Sequence, residues 1–188
     1  GLIDKKPLKI QKINSGDSLI MIGDTKDELG GSEYSEYIHK FIGGKCPSVD
    51  FVESKKNMNC VVDIIENELI KSVHDCSKGG LTIAISELCM INQVGCNVSL
   101  EKIPGEKLDS DKILFSESHS RYLLTIENKN LSKLEETLKK YGVSYSLIGE
   151  FTGDSICFSS DSKPIIDLSV DKAQKTWFNS LKEMVLHA

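Results

Sequence analysis

The sequence predicts an α+β fold in which helices pack on a mixed, largely antiparallel sheet. Strand-like and helical segments alternate along most of the chain, and three short strand-like segments follow one another near its end. The stretch EFTGDSICF has the pattern of a β-hairpin, which needs antiparallel neighbours. A doubly wound parallel sheet is the second choice, because this hairpin would not belong to it.

The first segments predict a strand followed by two helices. SLIMIG at 18–23 is a short apolar run between glycines, which is typical of a buried strand. The polar segment that follows predicts one short helix near Glu33–Phe41. Apolar residues at helical spacing then predict one long helix over 49–73, capped by Asp50 or Ser48.

The remaining segments predict further strands and helices. A short strand is expected at 71–75, a helix at 79–93 and a strand at 95–104. YLLTI at 122–126 reads as another apolar strand, and the segment 130–142 as a helix that ends at a glycine. Three strands and a helix capped by Ser169 complete the chain, at 143–151, 155–159, 164–170 and 170–185.

Composition limits the classes of function. The chain has 188 residues, 39% of them hydrophobic and 27% charged, which suits one domain with a packed core. A net charge of -5 argues against a general nucleic-acid binder. No apolar run approaches the roughly 20 residues of a membrane span, and the N-terminus lacks the apolar region of a signal peptide. We therefore expect a cytoplasmic protein. The six cysteines include no C-x-x-C pair, which argues against a zinc ribbon.

The first polar constellation is HDCSKGG, between two apolar segments. A strand that ends at Asp75, with Gly79 and Gly80 opening a helix, lets an anionic ligand approach the backbone closely. Asp75 is a candidate ligand of Mg²⁺, while His74 could bind the substrate or hold Asp75 in place. Ser77 is a further candidate for phosphate binding. The alternative is a plain strand-to-helix turn in which Asp75 or Ser77 caps the helix.

The second constellation is FSESHSR, directly before an apolar strand. Glu117, Ser118 and His119 supply donors and acceptors, and Arg121 could hold a phosphate or carboxylate with two hydrogen bonds. The alternative is a solvated turn in which Arg121 pairs with Glu117. A serine nucleophile is not supported, because the strand-Ser-helix elbow G-x-S-x-G is missing.

The third constellation is GDTKDELGGSEY, which is rich in acidic residues. Its residues Gly30, Gly31 and Ser32 could form a phosphate-binding turn. The alternative is a solvated surface loop.

Taken together and in this order, these stretches resemble the C-terminal part of the phosphoribosylformylglycinamidine synthase II family of purine biosynthesis. The resemblance is carried by GDSLIMIGDTKDELGGSEYSEYIHK, VHDCSKGGLTIAISELC, ILFSESHSRYLLTI and DLSVDKAQKTWFNSL, and it covers nearly the whole chain. It implies one domain over 1–188, of the C-terminal type shared with aminoimidazole ribonucleotide (AIR) synthetase, selenophosphate synthetase and thiamine-monophosphate kinase. That domain is α/β layered with a mixed sheet.

The resemblance also implies a reaction. The family converts formylglycinamide ribonucleotide, ATP and glutamine-derived ammonia to the amidine, ADP and phosphate, with Mg²⁺ neutralising the phosphates. Its catalytic residues and principal ATP site lie in N-terminal domains that this chain does not resemble. We therefore expect no catalytic residue here and no activity of the chain by itself. The implied partners are the N-terminal synthetase domains of the same protein and the glutamine amidotransferase component.

The family enzyme resembles an internally duplicated protein, and this bears on the site. Asp75 matches a magnesium aspartate of the first copy, and 117–119 match its Glu-Ser-Gln triplet, with His119 in place of Gln. HDCSKGG and LGGSEY instead resemble the second copy, which implies an auxiliary nucleotide site with a structural role. Two alternatives stay open: a domain that mainly docks to its neighbours, and a free-standing relative that acts on another phosphorylated metabolite.

Overall fold

A computed structural model of the chain describes residues 11–186, with side chains up to residue 180. The segment 1–10, on which part of the signal-peptide prediction rests, lies outside the described residues. Within the described part the strands are β1 (Ser18–Ile22), β2 (Ser72–Asp75), β3 (Cys96–Ser99), β4 (Tyr122–Ile126), β5 (Tyr145–Phe151), β6 (Ser155–Ser160) and β7 (Lys163–Ser169). The α-helices there are α1 (Glu33–Tyr37), α2 (Phe51–Glu66), α3 (Gly80–Asn92), α4 (Ser110–Phe115), α5 (Leu131–Tyr141) and α6 (Val170–Leu186).

All the strands belong to one mixed sheet in the order β2-β4-β1-β5-β3-β6-β7. Neighbouring strands run antiparallel except β3 and β6, which run parallel. The predicted α+β class with a mixed, largely antiparallel sheet is therefore confirmed. None of the described helices has the length and apolarity that a membrane crossing needs.

Helices cover both faces of the sheet, and the central strand β1 shows why. Leu19 and Met21 point into a core formed with α3, α4 and α6. Ile20 and Ile22 point into a second core formed with α2 and α5. Because successive side chains of a strand alternate between faces, a strand that is apolar throughout must lie between two helical layers.

The predicted hairpin EFTGDSICF is wrong, because β5 and β6 are not neighbours. Strand β3 lies between them, with Asn97 opposite Glu150 of β5 on one side and Cys157 of β6 on the other. The hairpin of this region is β6–β7, whose turn residues Asp161 and Ser162 both have positive φ, of 48° and 62°. Two consecutive residues with positive φ are typical of tight hairpin turns.

The long helix predicted over 49–73 is shorter in the structure and ends at Glu66. Its N-terminal cap is Asp50, as predicted, whose Oδ1 accepts from the amides of Val52 and Glu53 at 2.9 Å. After the helix, Glu68 has a φ of 52°, which a right-handed helix cannot accommodate. The chain then turns into β2. The predicted cap of α6 is also present, since Ser169 Oγ accepts from the amide of Lys172 at 3.2 Å.

Candidate functional site

Two of the three polar constellations form the walls of one cavity of about 360 Å³. Strand β2 ends where β4 begins, with Asp75 opposite Tyr122, so the loops after β2 and before β4 lie side by side. The cavity is lined by residues 46–47, 75–78, Glu117 and 119–122. The sheet pairing therefore brings HDCSKGG and FSESHSR to one place.

The third constellation is held at the same place by the carboxylate of Glu117. Glu117 Oε1 accepts hydrogen bonds from the amide of Gly79 at 2.8 Å and from the amide of Glu33 at 3.0 Å. In addition, Lys78 Nζ lies 2.8 Å from Glu33 Oε1. One carboxyl oxygen thus joins the loop before α3 to the start of α1, and Oε2 of Glu117 has no hydrogen bond to any described residue.

Asp75 presents its carboxylate to the cavity. Its side chain is 67% exposed, and His74 Nδ1 lies 3.7 Å from its Oδ1. Within the described part of the chain, no group of three or more His, Cys, Asp or Glu side chains is arranged to hold a metal ion. A divalent cation at Asp75 would therefore need oxygen ligands from a bound molecule.

His74 lies outside the lining of the cavity. Its Nε2 is 2.8 Å from Oε2 of Glu87 on α3, so the imidazole is oriented toward that helix. The geometry favours the role of holding the strand end beside Asp75 over direct contact with a ligand.

Arg121 is one of the largest fully buried side chains of the described residues, with 1% of its surface exposed. Its Nε donates to the carbonyl of Ser118 at 2.9 Å, Nη1 to Thr25 Oγ1 at 3.1 Å and Nη2 to the carbonyl of Ser116 at 2.5 Å. Burial lowers the pKa of the guanidinium. Glu117 is not among its described hydrogen-bond partners. Arg121 therefore binds the loop that carries the site, and its role as an anion ligand stays a prediction.

Other predicted site residues serve the same packing. Ser118 is buried, and its Oγ accepts from the amide of Lys26 at 3.1 Å. Ser32 caps the five-residue helix α1 by accepting from the amide of Ser35 at 3.2 Å. His119, by contrast, is exposed and lines the cavity.

Close approach of backbones explains two of the glycines. A Cβ on Gly80, whose φ is 67°, would lie 2.6 Å from the carbonyl oxygen of Ser116. A Cβ on Gly30 would lie 2.0 Å from the carbonyl oxygen of Lys45. The lack of a side chain at these two glycines lets neighbouring backbone segments of the site approach each other. Their role in phosphate binding stays a prediction.

The cavity includes residues that sequence reasoning did not single out. Lys78 extends its ammonium group from the HDCSKGG loop. A basic residue within that motif could have been recognised from the sequence as a candidate for phosphate binding. Cys46 and Pro47 reach the cavity from the far end of a long loop, for which no local pattern exists. Cys76 is buried, and burial raises the pKa of its thiol to about 11, which disfavours the reactive thiolate at neutral pH.

Comparisons with a family model and with known proteins agree on one family. Residues 14–159 match the family model described as AIR synthase related protein, C-terminal domain. The chain is 33% identical over 174 residues to phosphoribosylformylglycinamidine synthase subunit PurL of Methanocaldococcus jannaschii, covering 93% of this chain and 23% of that protein. It is 36% identical over 176 residues to the subunit PurL of Thermococcus sibiricus, and the match covers 92% of this chain and 23% of that protein. The chain thus spans less than a quarter of the length of these relatives.

Solved structures with the same fold include more distant proteins. PurL of Thermotoga maritima, complexed with FGAR, superposes with a TM-score of 0.78 at 18% identity, covering 89% of this chain and 29% of that chain. HypE of E. coli, a hydrogenase maturation protein, superposes with a TM-score of 0.62 at 15% identity, and the match covers 88% of this chain and 52% of that chain. At these identities the two matches establish the fold.

Proposed function

Because the chain belongs to the AIR synthase related protein family, as a C-terminal domain, we propose that it is one domain of a phosphoribosylformylglycinamidine synthase. That enzyme joins ammonia derived from glutamine to formylglycinamide ribonucleotide in an ATP-dependent step of purine biosynthesis. The observation that carries the proposal is the 33–36% identity to subunit PurL over 92–93% of this chain. The domain occupies residues 1–188 and corresponds to the second copy of a duplicated synthetase. Its six free cysteines fit a reducing, cytoplasmic location.

In this proposal the cavity holds the phosphates of a nucleotide. The support is that solved structures with the same fold include T. maritima PurL complexed with ATP, ADP and AMPPCP. The donors available for phosphate are the ammonium of Lys78, the exposed hydroxyl of Ser77 and the ring of His119. Mg²⁺ binds proteins through one or two carboxylates and completes its coordination with substrate phosphates and water. Asp75 and Glu117 on the cavity wall fit that donor set, and the ion would neutralise phosphate charge there.

In this proposal the groups that react with the substrate are not on this chain. Cys76 is buried, Arg121 donates to backbone carbonyls, and His74 is paired with Glu87, which leaves Asp75, Lys78, Glu117 and His119 at the cavity to bind phosphate and metal. We therefore assign the reacting groups to the N-terminal synthetase domains of the parent protein and ammonia delivery to a glutamine amidotransferase component. The role of this domain is to bind and orient nucleotide phosphates at an auxiliary site.

A second candidate is a mainly structural domain that docks to its sister domains. Arg121 and Ser118 favour this candidate, because both side chains are only 1% exposed and already form hydrogen bonds within the fold. The two candidates differ in whether the cavity is occupied by nucleotide.

The experiment is an assay of amidine formation by the purified parent protein, with formylglycinamide ribonucleotide, ATP and ammonia as substrates. We expect ATP-dependent turnover by the parent and none by the 188-residue chain. Turnover by the chain alone would contradict the assignment of catalysis to other domains. A parent without ATP-dependent turnover would contradict the proposed function.

A further inference from the structure

The turn before β4 contains one residue with a strained backbone, at the wall of the cavity. Ser120 has a φ of 61°, in the left-handed region that residues with a side chain rarely adopt. A residue keeps such a conformation only where the surrounding structure holds it. Ser120 lines the cavity together with His119 and Arg121. The contacts that hold Ser120 therefore bear on the shape of the cavity.

The carbonyl group of Ser120 is held by a side chain of α2. Asn57 donates from Nδ2 to the carbonyl oxygen of Ser120 at 3.1 Å. The backbone at Gly23 approaches the same oxygen so closely that an added Cβ there would lie 2.4 Å from it. The position of this carbonyl thus depends on a helix residue that lies 63 residues away in the sequence.

Asn57 is an unusual residue for its place on the helix. The described buried residues of α2 are Asn57, Cys60, Val61 and Ile64, of which Asn57 alone is polar. Asn57 is only 1% exposed, and its Oδ1 has no hydrogen-bond partner among the described residues. Because a buried acceptor without a partner destabilises a fold, an apolar side chain would suit the packing better. The hydrogen bond to Ser120 therefore explains the asparagine at this position.

The two ends of the turn are anchored without Asn57. At one end, Ser118 Oγ accepts from an amide of the loop after β1 at 3.1 Å. At the other end, the carbonyl of Arg121 accepts from the first amide after β2 at 3.0 Å. His119 and Ser120 lie between these anchors, and His119 is exposed at the cavity. Loss of the hydrogen bond from Asn57 is thus expected to move the middle of the turn and to leave its ends in place.

We propose that Asn57 is a positioning residue of the cavity, which fixes the backbone of 119–120 and thereby places His119 against a bound phosphate. This inference rests on the proposed function, in which the cavity holds nucleotide phosphates. It gives a role in binding to α2, although none of the described residues of that helix lines the cavity. A site loses affinity when one of its preplaced groups becomes mobile, because binding must then also order that group.

Asn57→Leu tests the proposal in the parent protein. Leucine keeps the branched shape of asparagine, removes the unpaired Oδ1 and cannot donate to Ser120. Calorimetric titration with ADP and Mg²⁺ should show about tenfold weaker binding at the site that Asp75→Asn also weakens. The melting temperature should change by less than about 4 °C, because the ends of the turn stay anchored. Asn57→Ala removes the same donor without adding volume, and it decides the question if leucine unfolds the protein.

Asn92→Leu is the matched control for these titrations. Asn92 lies at the end of α3, away from the cavity lining, and its Oδ1 accepts from the amide of Ile13 at 3.0 Å. Its replacement also removes a hydrogen bond between a helix and a distant backbone, but it should leave the affinity for ADP unchanged. Equal weakening by Asn92→Leu would overturn the inference, because any loss of stability would then have the same effect.

A second measurement uses the 188-residue chain and needs no ligand. In amide correlation spectra, Asn57→Leu should shift the resonances of His119 and Ser120 more than those of Ser118 and Arg121, and Asn92→Leu should shift none of the four. Unshifted resonances of His119 and Ser120 would overturn the inference.

The outcomes also separate this inference from the proposed function. If Asp75→Asn weakens ADP binding while Asn57→Leu and Asn57→Ala bind ADP as the unmodified parent does, the inference fails and the proposed nucleotide site stands. If the unmodified parent binds no ADP at this site, the proposed nucleotide site fails, and the inference fails with it.

Discussion

Glu117 joins the three polar loops through the hydrogen bonds of its carboxylate. It accepts one amide hydrogen from Gly79 and one from Glu33, which belong to loops 46 residues apart in sequence. Hydrogen bonds to a charged acceptor are worth about 1.5–3 kcal/mol each when buried. Because Glu117 is half-buried, its contribution lies toward the low end of that range.

Glu117→Ala should destabilise the chain by about 2 kcal/mol, because two amides lose their acceptor. Glu117→Gln keeps an oxygen at Oε1 and should cost less than the alanine substitution. Urea-induced unfolding of both variants measures the difference. Equal stability of Glu117→Ala and the unmodified chain would show that the loops are held by other contacts.

A second carboxylate, Glu101, links the turn after β3 to the β6–β7 hairpin. Its Oε2 accepts from Ser99 Oγ and its Oε1 from the amide of Asp161, both at 2.6 Å. These hydrogen bonds lower the pKa of Glu101 from its ordinary value of 4.5 to about 2. A depressed pKa means that the charged form stabilises the fold above pH 4.5 and that this stabilisation is lost as the pH falls toward 2.

Comparison of the unmodified chain with Glu101→Gln tests this linkage. The melting temperature of the unmodified chain should exceed that of Glu101→Gln by a constant amount above pH 4.5, and the excess should vanish as the pH falls toward 2. Melting curves followed by circular dichroism across this range provide the measurement. A difference that does not change with pH would mean that the pKa of Glu101 is the same in the folded and unfolded chains.

At the residue scale, the family resemblance grouped HDCSKGG, FSESHSR and LGGSEY, but the sequence did not predict what each side chain does there. Arg121 donates to carbonyls of its own loop and to the distant Thr25, while His74 pairs with Glu87 on the following helix, and neither set of partners can be read from the motif. A polar residue next to a strand end can serve a ligand or the fold, and only the position of its partners decides between the two.

At the scale of elements, the turn before α3 depends on the lack of a side chain at Gly80. Gly80 and Gly142 have similar positive φ values, 67° and 62°, but only Gly80 faces backbone atoms within 3 Å of an added Cβ. An alanine at Gly142 would therefore introduce backbone strain alone, whereas an alanine at Gly80 would add a steric clash to that strain.

Gly142→Ala should cost about 1 kcal/mol, the usual strain of a residue with a side chain at positive φ. Gly80→Ala should cost clearly more, because its Cβ would also displace the C-terminal end of α4 at Ser116. Unfolding free energies of the two variants give the comparison. Equal costs would indicate that the α4 backbone moves aside freely.

The elements themselves were mostly predictable, and the errors have a common cause. Periodicity located β1, α3 and α5 because their patterns are local. The false hairpin between β5 and β6 arose because the insertion of β3 between them leaves no trace in the turn sequence. Helix α2 was extended too far because Leu69 and Ile70 continue its apolar pattern after the backbone has already turned at Glu68.

At the scale of the whole molecule, the proposed function makes the chain one part of a larger site. Two carboxylates, Asp75 and Glu117, lie on the cavity wall, and the side chain of Asp75 is 67% exposed. In this proposal the domain contributes one wall to a nucleotide site that lies between domains. Under the same proposal the reacting groups are expected on the facing domain.

Calorimetric titration of the parent protein with ADP in the presence of Mg²⁺ tests this account most directly. Asp75→Asn removes the charge that would hold the ion, while Asp171→Asn, on the exposed side of α6, is the matched control. We predict that Asp75→Asn weakens one class of ADP site about tenfold, equivalent to about 1.4 kcal/mol, and that the control binds as the unmodified protein does. Identical isotherms for Asp75→Asn and the unmodified parent would contradict a nucleotide site at this cavity.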